Sequence, residues 1–432
     1  MEEIENFDAL VIGAGAGGMA AAARLGNYGY RTLLVERRDR VGGRASTMEV
    51  DGFTVNSGAI FFELGGENSR LFDELGVDPG VRVLKHPLFM NLGKRNIPMM
   101  SGVTGLISRK SLVWLGHGAR KFRLRPASGL NVEQWLDKLH AGKPIRLLVR
   151  NLTAALFAGE PSDIPADLFF DYFTKPSGLG IYGAHPDGSI GPWRAMADHF
   201  QRTGGTLWCD SEVSSLTFDA DGLVDGAIVR RGTDTVRVST KVAVSNVGPV
   251  ATVNLCGDDA LPSGYADEIR AWSRPGTLII INFASHQRIP RLDGMVFFGD
   301  TERLASGANV SDLSPALAPP GWNLYMAAST PTPASGEFDY ESEVAMLRND
   351  LHAKFPEFGS AHELSVEVYA GEDWPAQRAI AGHDLPNTTP IANLWNVGDG
   401  VREAGGAAQS GCVQSARLVT DQIRGRYPAA RL

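Results

Sequence analysis

The sequence predicts an α/β protein that combines a Rossmann-like nucleotide-binding domain with a second, α+β domain. Three observations carry this prediction. A glycine-rich turn stands between an apolar run and a helix of small residues at the start of the chain, an acidic residue ends the next apolar run, and an apolar run with its own glycines returns near the C-terminus. Strands that alternate with helices in this way form parallel sheets.

The chain opens with the pattern of a β-α-β unit. An apolar run at Phe7–Ile12 leads into the glycine turn, small residues at Met19–Leu25 favour a helix, and a second apolar run covers Arg31–Glu36. From residue 64 to about residue 183 the pattern becomes amphipathic and helical, with few strand signals. The strand-rich pattern resumes after residue 183 and again near the C-terminus, so we expect both domains to be discontinuous. Residues 1–63, 184–256 and 372–432 are predicted to bind the nucleotide. Residues 64–183 and 257–371 are predicted to form the substrate domain.

The glycines of the first turn have the spacing of a dinucleotide-binding motif. Gly13 allows the tight turn, Gly15 lets the backbone approach a pyrophosphate, and Gly18 lets helix and strand pack closely. The following helix offers free N–H groups and the positive end of its dipole. Glu36 ends the second apolar run, where a carboxylate accepts hydrogen bonds from ribose hydroxyls and repels a 2′-phosphate. The adenosine therefore belongs to FAD or NAD rather than to NADP.

A second glycine pair favours FAD over NAD. The segment Arg40–Arg44 reads RVGGR and follows Glu36 within a few residues. Gly42 and Gly43 permit a close backbone approach, and Arg44 can reach the phosphates.

The C-terminal part supplies the other half of the expected site. The segment Asn396–Gly400 (NVGDG) closes an apolar strand, and Asp399 can hold a ribityl or pyrophosphate-side hydroxyl. The segment Gly405–Gly411 opens a closing helix, predicted at Cys412–Arg424. The N–H groups at the start of that helix can stabilise negative charge on a reduced flavin.

These motifs resemble those of the FAD-dependent amine oxidase and phytoene desaturase superfamily, which includes carotenoid desaturases. The resemblance covers nearly the whole chain and implies a glutathione-reductase/amine-oxidase-like fold, non-covalent FAD and an FAD-dependent oxidoreductase. It also implies that Val213 lies in a strand touching adenine, and no metal site is expected. The predicted cofactor-binding residues are Gly13, Gly15, Gly18, Glu36, Arg37, Gly42, Gly43, Arg44, Val213, Gly398, Asp399, Ala407 and Ala408.

The superfamily implies two main reactions, oxidation of C–N bonds and desaturation of C–C bonds. Many amine oxidases carry a lysine near the flavin, yet no lysine occurs between Lys241 and Lys354. The positions of their guiding aromatic residues fall near Ala379 and Ala408. Cys412 is interpreted as a small packing residue. These departures favour hydride transfer from a C–C bond of a small or lipid-like apolar substrate, with an amine oxidase that releases peroxide as the alternative.

Candidate polar residues near the flavin are Tyr182, His185, Arg402 and Glu403, although each also fits a structural role. Because desaturases can work without a protein base, the catalytic residue stays undetermined at this level. Two other readings remain open, a flavin-dependent isomerase and a non-enzymatic lipid-escort protein.

The composition of the chain limits the kinds of partner that it can bind. The chain has 432 residues, of which 43% are hydrophobic and 21% charged, and its net charge of -8 argues against nucleic acid. Cys209, Cys256 and Cys412 lie far apart without a CxxC pair, so neither disulfides nor a metal knuckle are expected. With no export signal visible, a cytoplasmic location is expected. The basic segment from Lys94 to Arg150 could meet an anionic membrane surface or form a solvated face.

Overall fold

The computed structural model describes residues 5–84, 88–99, 125–174, 181–403 and 408–429 of the chain. The helices of this described part, in chain order, are Ala16–Asn27 (α1), Glu67–Leu75 (α2), Val132–Lys138 (α3), Lys143–Phe157 (α4), Ala166–Thr174 (α5), Gly191–Arg202 (α6), Pro249–Cys256 (α7), Tyr265–Trp272 (α8), Val310–Leu313 (α9), Tyr340–Lys354 (α10) and Ala408–Arg426 (α11). Short 3-10 turns lie at Asp258–Ala260, Pro315–Leu317 and Pro356–Ser360.

The strands of the same part are Glu5–Asn6 (β1), Ala9–Ile12 (β2), Thr32–Val35 (β3), Thr47–Val50 (β4), Phe53–Asn56 (β5), Phe62–Leu64 (β6), Arg82–Val83 (β7), Leu88–Leu92 (β8), Arg95–Pro98 (β9), Ile181–Ala184 (β10), Thr206–Trp208 (β11), Ser211–Phe218 (β12), Val224–Arg231 (β13), Asp234–Ser239 (β14), Val242–Ser245 (β15), Leu278–Ser285 (β16), Met295–Phe298 (β17), Ser306–Asn309 (β18), Asn323–Ser329 (β19), His362–Tyr369 (β20) and Leu394–Asn396 (β21).

A parallel sheet of five strands in the order β11-β3-β2-β15-β21 organises the nucleotide-binding half. All residues of β2, β3, β15 and β21 are buried, as expected for parallel strands covered on both faces. One face is covered by helices α1, α6 and α11. A four-stranded sheet, β1-β14-β13-β12, packs on the other side of the same strands.

Helix α1 can lie close to its neighbours because its side chains are small. Met19 and the four alanines at positions 20–23 are buried against a cluster that includes Phe200 of α6 and Val419 of α11. Its Arg24 is also buried and forms ion pairs with Glu74 and Asp421. These contacts fix helix α1, which follows the glycine turn, relative to the C-terminal helix.

The second half is built on a seven-stranded sheet in the order β20-β16-β19-β18-β17-β8-β9. Helix α10 packs on this sheet through Val344, Leu347 and Leu351, in a cluster with Phe283. A three-stranded sheet, β6-β10-β7, brings residues 62–64 beside residues 181–184. Helices α3, α4 and α5 cover the adjoining apolar cluster.

Two features of the strands differ from what the sequence patterns suggest. The alternating pattern from Thr235 to Val244 covers two strands, β14 and β15, because the chain turns at Thr240 and Lys241 and enters a different sheet. The segment expected to be mainly helical also contains the hairpin of β8 and β9, which turns at Gly93 with a φ of 63° and pairs in parallel with β17. Both strands are only partly buried, which weakened their hydrophobic signal.

The C-terminal helix agrees closely with the sequence prediction. The closing helix was expected at Cys412–Arg424 and extends over Ala408–Arg426. In the described ranges, no helix is long and apolar enough to cross a membrane. The expectation of a membrane-facing basic surface depends largely on residues 100–124, which lie outside the described residues.

The tight contact between the turn and helix α1 gives a stability prediction. A Cβ at Gly18 would lie 1.9 Å from the Gly13 carbonyl oxygen, whereas a Cβ at Gly425, another helical glycine, would meet nothing within 4 Å. We expect Gly18→Ala to lower the free energy of unfolding by about 2 kcal/mol or more. Gly425→Ala should leave it unchanged or raise it by up to about 1 kcal/mol. Urea unfolding curves with the same midpoint for both variants would contradict this contact.

Candidate functional site

The carboxyl ends of β2, β3, β15 and β21 open into one cleft of about 550 Å³. Its walls are the turns after these strands, one side of α7, the segment 372–378 and the described start of α11. Ligand sites of α/β sheets lie at this edge, and pockets for small ligands and cofactors measure roughly 300–1,000 Å³. The cleft therefore has the position and size of a cofactor site.

The first glycine turn forms the floor of the cleft. The Gly13 N–H donates to the Val35 carbonyl at 2.7 Å, and Gly13 has a φ of 90°, which few other residues adopt. Gly15 is the N-cap of α1 and no side chain caps the helix there. The first N–H groups of α1 are thus available to a bound anion.

The second glycine pair lies directly against the first. Gly42 donates its N–H to the Ala14 carbonyl at 2.8 Å, and a Cβ on Gly43 would stand 3.2 Å from the Gly15 Cα. Gly42 and Gly43 both have positive φ. The two motifs therefore make one narrow backbone cradle without side chains, and this cradle fits the pyrophosphate of a dinucleotide.

Glu36 lies where β3 ends, at the edge of the same cleft. One carboxylate oxygen accepts the Ala14 N–H at 2.7 Å and the other accepts the Arg38 N–H at 2.9 Å. Both bonds hold the buried carboxylate beside the turn, which is the position that a ribose requires. Val213 of β12 lines the cleft nearby. Arg37 also lines it, with its guanidinium paired to Asp373 at 2.5 Å.

Arg44 and Asp399 join the two ends of the chain across the cleft. Both terminal nitrogens of Arg44 donate to the Asp399 carboxylate at 2.7 Å, and Asp399 also accepts the Arg378 N–H at 2.8 Å. Burial alone would raise the pKa of Asp399, but Arg44 holds that pKa well below its usual range. The pair is therefore charged, and it sets the width of the cleft between its two halves.

Asn246 is a contact residue that was not among the predicted cofactor-binding residues. It follows β15, and its side-chain amide donates to the Gly13 carbonyl at 3.3 Å. A Cβ on Gly15, Gly17 or Gly398 would lie within 2.9 Å of this side chain. Asn246 thus fills the space between the first glycine turn and the turn after β21, where a Cβ on any of these three glycines would clash with it.

The described start of α11 closes the far end of the cleft. Ala408, Gln409 and Cys412 line it, whereas Ala407 lies outside the described residues. Gln409 accepts the Trp193 indole N–H at 2.8 Å and donates to the Phe61 carbonyl at 2.8 Å. The helix is thereby fixed to both α6 and the strand that begins after Phe61.

The four candidate catalytic residues separate into two pairs. Arg402 lines the cleft, where it pairs with Asp384 at 3.0 Å, and Tyr182 of β10 lies beside Phe61 with ring centroids 5.6 Å apart. His185 accepts the Asp187 N–H at 3.0 Å within its own loop. Glu403 is exposed and binds Gln414 at 2.9 Å. The structure brings only Arg402 and Tyr182 towards the end of the cleft near α11.

Glu63 is a polar residue of this region that sequence reasoning missed. It lies in β6 directly opposite Tyr182 of β10, and its carboxylate accepts the Ser410 N–H of α11 at 2.8 Å. Burial raises the pKa of Glu63 to about 7, although the Ser410 N–H and the Arg402 charge limit the rise. The available signal was one acidic residue inside the otherwise apolar segment 60–64, IFFEL.

Comparison with known families agrees with this geometry. Residues 11–75 match the NAD(P)-binding Rossmann-like domain. An uncharacterized protein of Methanocaldococcus jannaschii is 23% identical over 96% of this chain and 98% of its own length. A carotenoid 3,4-desaturase of Haloarcula japonica is 35% identical over 18% of this chain and 16% of its own. A protein of Mycobacterium tuberculosis described as a flavin-containing monoamine oxidase is 31% identical over 36% of this chain and 38% of its own.

Solved structures share the fold over almost the full length. An oxidoreductase of Methanosarcina mazei has a TM-score of 0.80 and 24% identity, and the match covers 96% of this chain and all of that one. Putrescine oxidase bound to putrescine has a TM-score of 0.70 and 16% identity over 98% of this chain. The predicted resemblance and fold class are thereby confirmed. The predicted enzyme class, an FAD-dependent oxidoreductase, agrees with these relatives, and the resemblance implies a flavin cofactor, while the exact cofactor, the substrate and the reaction stay predictions.

The ion pair across the cleft gives a second prediction. Asp399→Asn keeps the shape of the side chain but leaves the Arg44 guanidinium without its counter-charge. We expect a loss of about 2 kcal/mol or more in the free energy of unfolding and at least a tenfold weaker retention of flavin. Glu363→Gln is the control, since its partner Arg348 lies in a more exposed pair, and should cost less than about 1 kcal/mol. Equal effects of the two substitutions would contradict the role of the pair.

Proposed function

We propose that this protein binds FAD non-covalently in the cleft and dehydrogenates a C–C bond of a small or lipid-like apolar substrate. The observation that carries the proposal is the continuity of the cleft. It runs from Glu36, past the glycine cradle and the Arg44 and Asp399 pair, to the start of α11. Those are, in order, the groups that a ribose, a pyrophosphate, a ribityl chain and a flavin ring require.

The chain's own residues each have a defined task in this proposal. The N–H groups of α1 hold the pyrophosphate, Glu36 binds the adenosine ribose, and Asp399, oriented by Arg44, binds a hydroxyl of the ribityl chain. The described start of α11 would favour negative charge on a flavin ring bound at this end of the cleft. When bound, FAD supplies the hydride acceptor.

Cys412 supports non-covalent rather than covalent attachment. It lines the cleft at the start of α11, and its thiol donates to the Ala408 carbonyl at 3.3 Å. Burial raises the pKa of this thiol to about 12, so the thiolate needed for attack on a flavin is not formed near neutral pH.

The region beside α11 supports an apolar substrate. Phe61, Tyr172, Phe173 and Tyr182 belong to an apolar cluster with helices α3 to α5, and each keeps part of its surface exposed. Ala408, at a position where amine oxidases often carry an aromatic residue, leaves space on the cleft wall. No lysine is present between Lys241 and Lys354. These features favour C–C over C–N oxidation.

Oxidation of an amine is the second candidate, and Glu63 is the observation that favours it. A carboxylate beside the aromatic rings of Phe61, Tyr172 and Tyr182 is an arrangement that also binds ammonium groups. Its raised pKa, about 7, means that it carries its full charge only above neutral pH. The two candidate reactions, C–C and C–N oxidation, therefore assign different roles to Glu63.

Non-covalent attachment is tested by acid precipitation of the purified yellow protein. We expect the flavin to appear entirely in the supernatant as FAD, and Cys412→Ser to retain the same flavin content as the wild type. Flavin that stays with the precipitated wild-type chain and is released from Cys412→Ser would contradict the proposal. A protein that stays colourless after FAD is added would instead favour the lipid-escort reading.

The reaction is tested by anaerobic bleaching of the flavin with matched panels of polyenes, cyclic ketones and amines. We expect bleaching by at least one apolar compound without an amino group, accompanied by a product with one additional double bond. Bleaching by amines alone, with peroxide released on re-aeration, would establish the second candidate and overturn the first. A product with the same composition as its substrate would indicate an isomerase.

A further inference from the structure

We propose that Glu63 is the group that accepts the substrate proton, a role that rests on the dehydrogenation proposed above. One hydrogen would leave the substrate as a hydride, for which bound FAD would supply the oxidant, and the adjacent carbon would lose a proton to a Glu63 carboxylate oxygen. The electron pair of that second C–H bond becomes the second bond of the new C=C. Atoms and electrons balance with flavin as the oxidant.

The position of Glu63 is fixed from three sides. It is the cross-strand partner of Tyr182 in the β6 and β10 pair, so the two side chains project to the same face. The bond from the Ser410 N–H ties its carboxylate to the first turns of α11, the helix that lines the cleft. The neighbouring Phe61 carbonyl is held by Gln409 of the same helix. Glu63 therefore joins the cofactor end of the cleft to the aromatic cluster.

The tyrosines beside Glu63 act as hydrogen-bonding groups and not as bases. The Tyr172 and Tyr182 hydroxyls bond to each other, and burial raises the pKa of both, to about 12 for Tyr182. They remain protonated at neutral pH. The Glu63 charge raises the pKa of both further.

Three other ionisable groups around the start of α11 are poorly suited to accept a proton. Burial would lower the pKa of Arg402, but the Asp384 and Asp399 carboxylates raise it above its usual value. Asp399 is committed to Arg44, which keeps its carboxyl ionised. The Cys412 thiol is already protonated. Of these described groups around the start of α11, Glu63 has the pKa suited to proton exchange near neutral pH.

Glu63 could also have a purely structural role, as the acceptor for the Ser410 N–H. A suitable variant distinguishes that role from proton acceptance. Glu63→Gln keeps an acceptor oxygen and removes the ionisable group. Glu67→Gln is the matched control, because Glu67 lies four residues away and contacts α11 through Arg417 at 2.9 Å. Both variants should bind FAD with the wild-type dissociation constant.

The first measurement is independent of turnover and follows stability with pH in excess FAD. In the folded wild type the pKa of Glu63 is raised from 4.5 to about 7, so the folded state holds a proton that the unfolded chain has released. The stability linked to this proton is fully present below about pH 4.5 and is lost as the pH rises through about 7. We therefore expect Glu63→Gln to gain stability relative to the wild type as the pH rises from about 4.5 to about 7, with little further gain at higher pH. The stability difference between Glu67→Gln and wild type should stay constant.

The second measurement is the rate of anaerobic flavin reduction by the apolar substrate found in the panel. In the wild type this rate should rise through about pH 7 as Glu63 ionises. Glu63→Gln should lower it roughly a hundredfold or more, abolish the inflection and leave substrate affinity unchanged. Glu67→Gln should retain the wild-type rate and inflection.

Each alternative outcome of these two measurements leads to a different conclusion about Glu63. If Glu63→Gln reduces its flavin at the wild-type rate with the same inflection, proton acceptance by Glu63 is overturned and the dehydrogenase proposal stands. If Glu63→Gln instead weakens binding of amines with an unchanged limiting rate, Glu63 is a cation-binding residue and the inference is overturned. If no compound bleaches the wild-type flavin, the dehydrogenase proposal fails and the role of Glu63 falls with it.

Discussion

The ion pair of Arg44 with Asp399 is the interaction on which the architecture of the cleft depends. Its partners are 355 residues apart in sequence, and the Arg44 guanidinium also donates to the Pro375 and Ala376 carbonyls. One side chain thereby holds the second glycine motif, the segment before Arg378 and the turn after β21. Because a guanidinium has a rigid, planar arrangement of donors, this geometry defines the distance between the two walls.

Much of the cofactor half could be predicted from sequence, because its constraints are local. Gly13, Gly15 and Gly18 are required by the turn and by close packing, and Glu36 follows at a fixed distance. Asp399 was identifiable from its own short motif. The residues that hold these motifs together were harder to find. Asn246 acts through contacts with turns that are remote in sequence, and its own short segment does not show which turns it contacts.

The substrate domain was harder to predict from the sequence, and the reason is physical. Strands β8 and β9 are short and partly exposed, so their periodicity is weak, and their pairing with β17 spans about half of the chain. Glu63 has an ordinary sequence environment, and its raised pKa arises only when β10 and α11 enclose it. His185 and Glu403, which sequence proximity favoured, have partners elsewhere.

The strand order has a consequence for biosynthesis. In β11-β3-β2-β15-β21, the last-translated strand occupies one edge, and the turn after it carries Asp399. A nascent chain that ends before β21 exposes the hydrogen-bonding edge of β15 and leaves Arg44 without its carboxylate partner. The glycine cradle can therefore fold early, but the cleft is complete only once β21 and the turn that carries Asp399 have been translated and have joined the sheet.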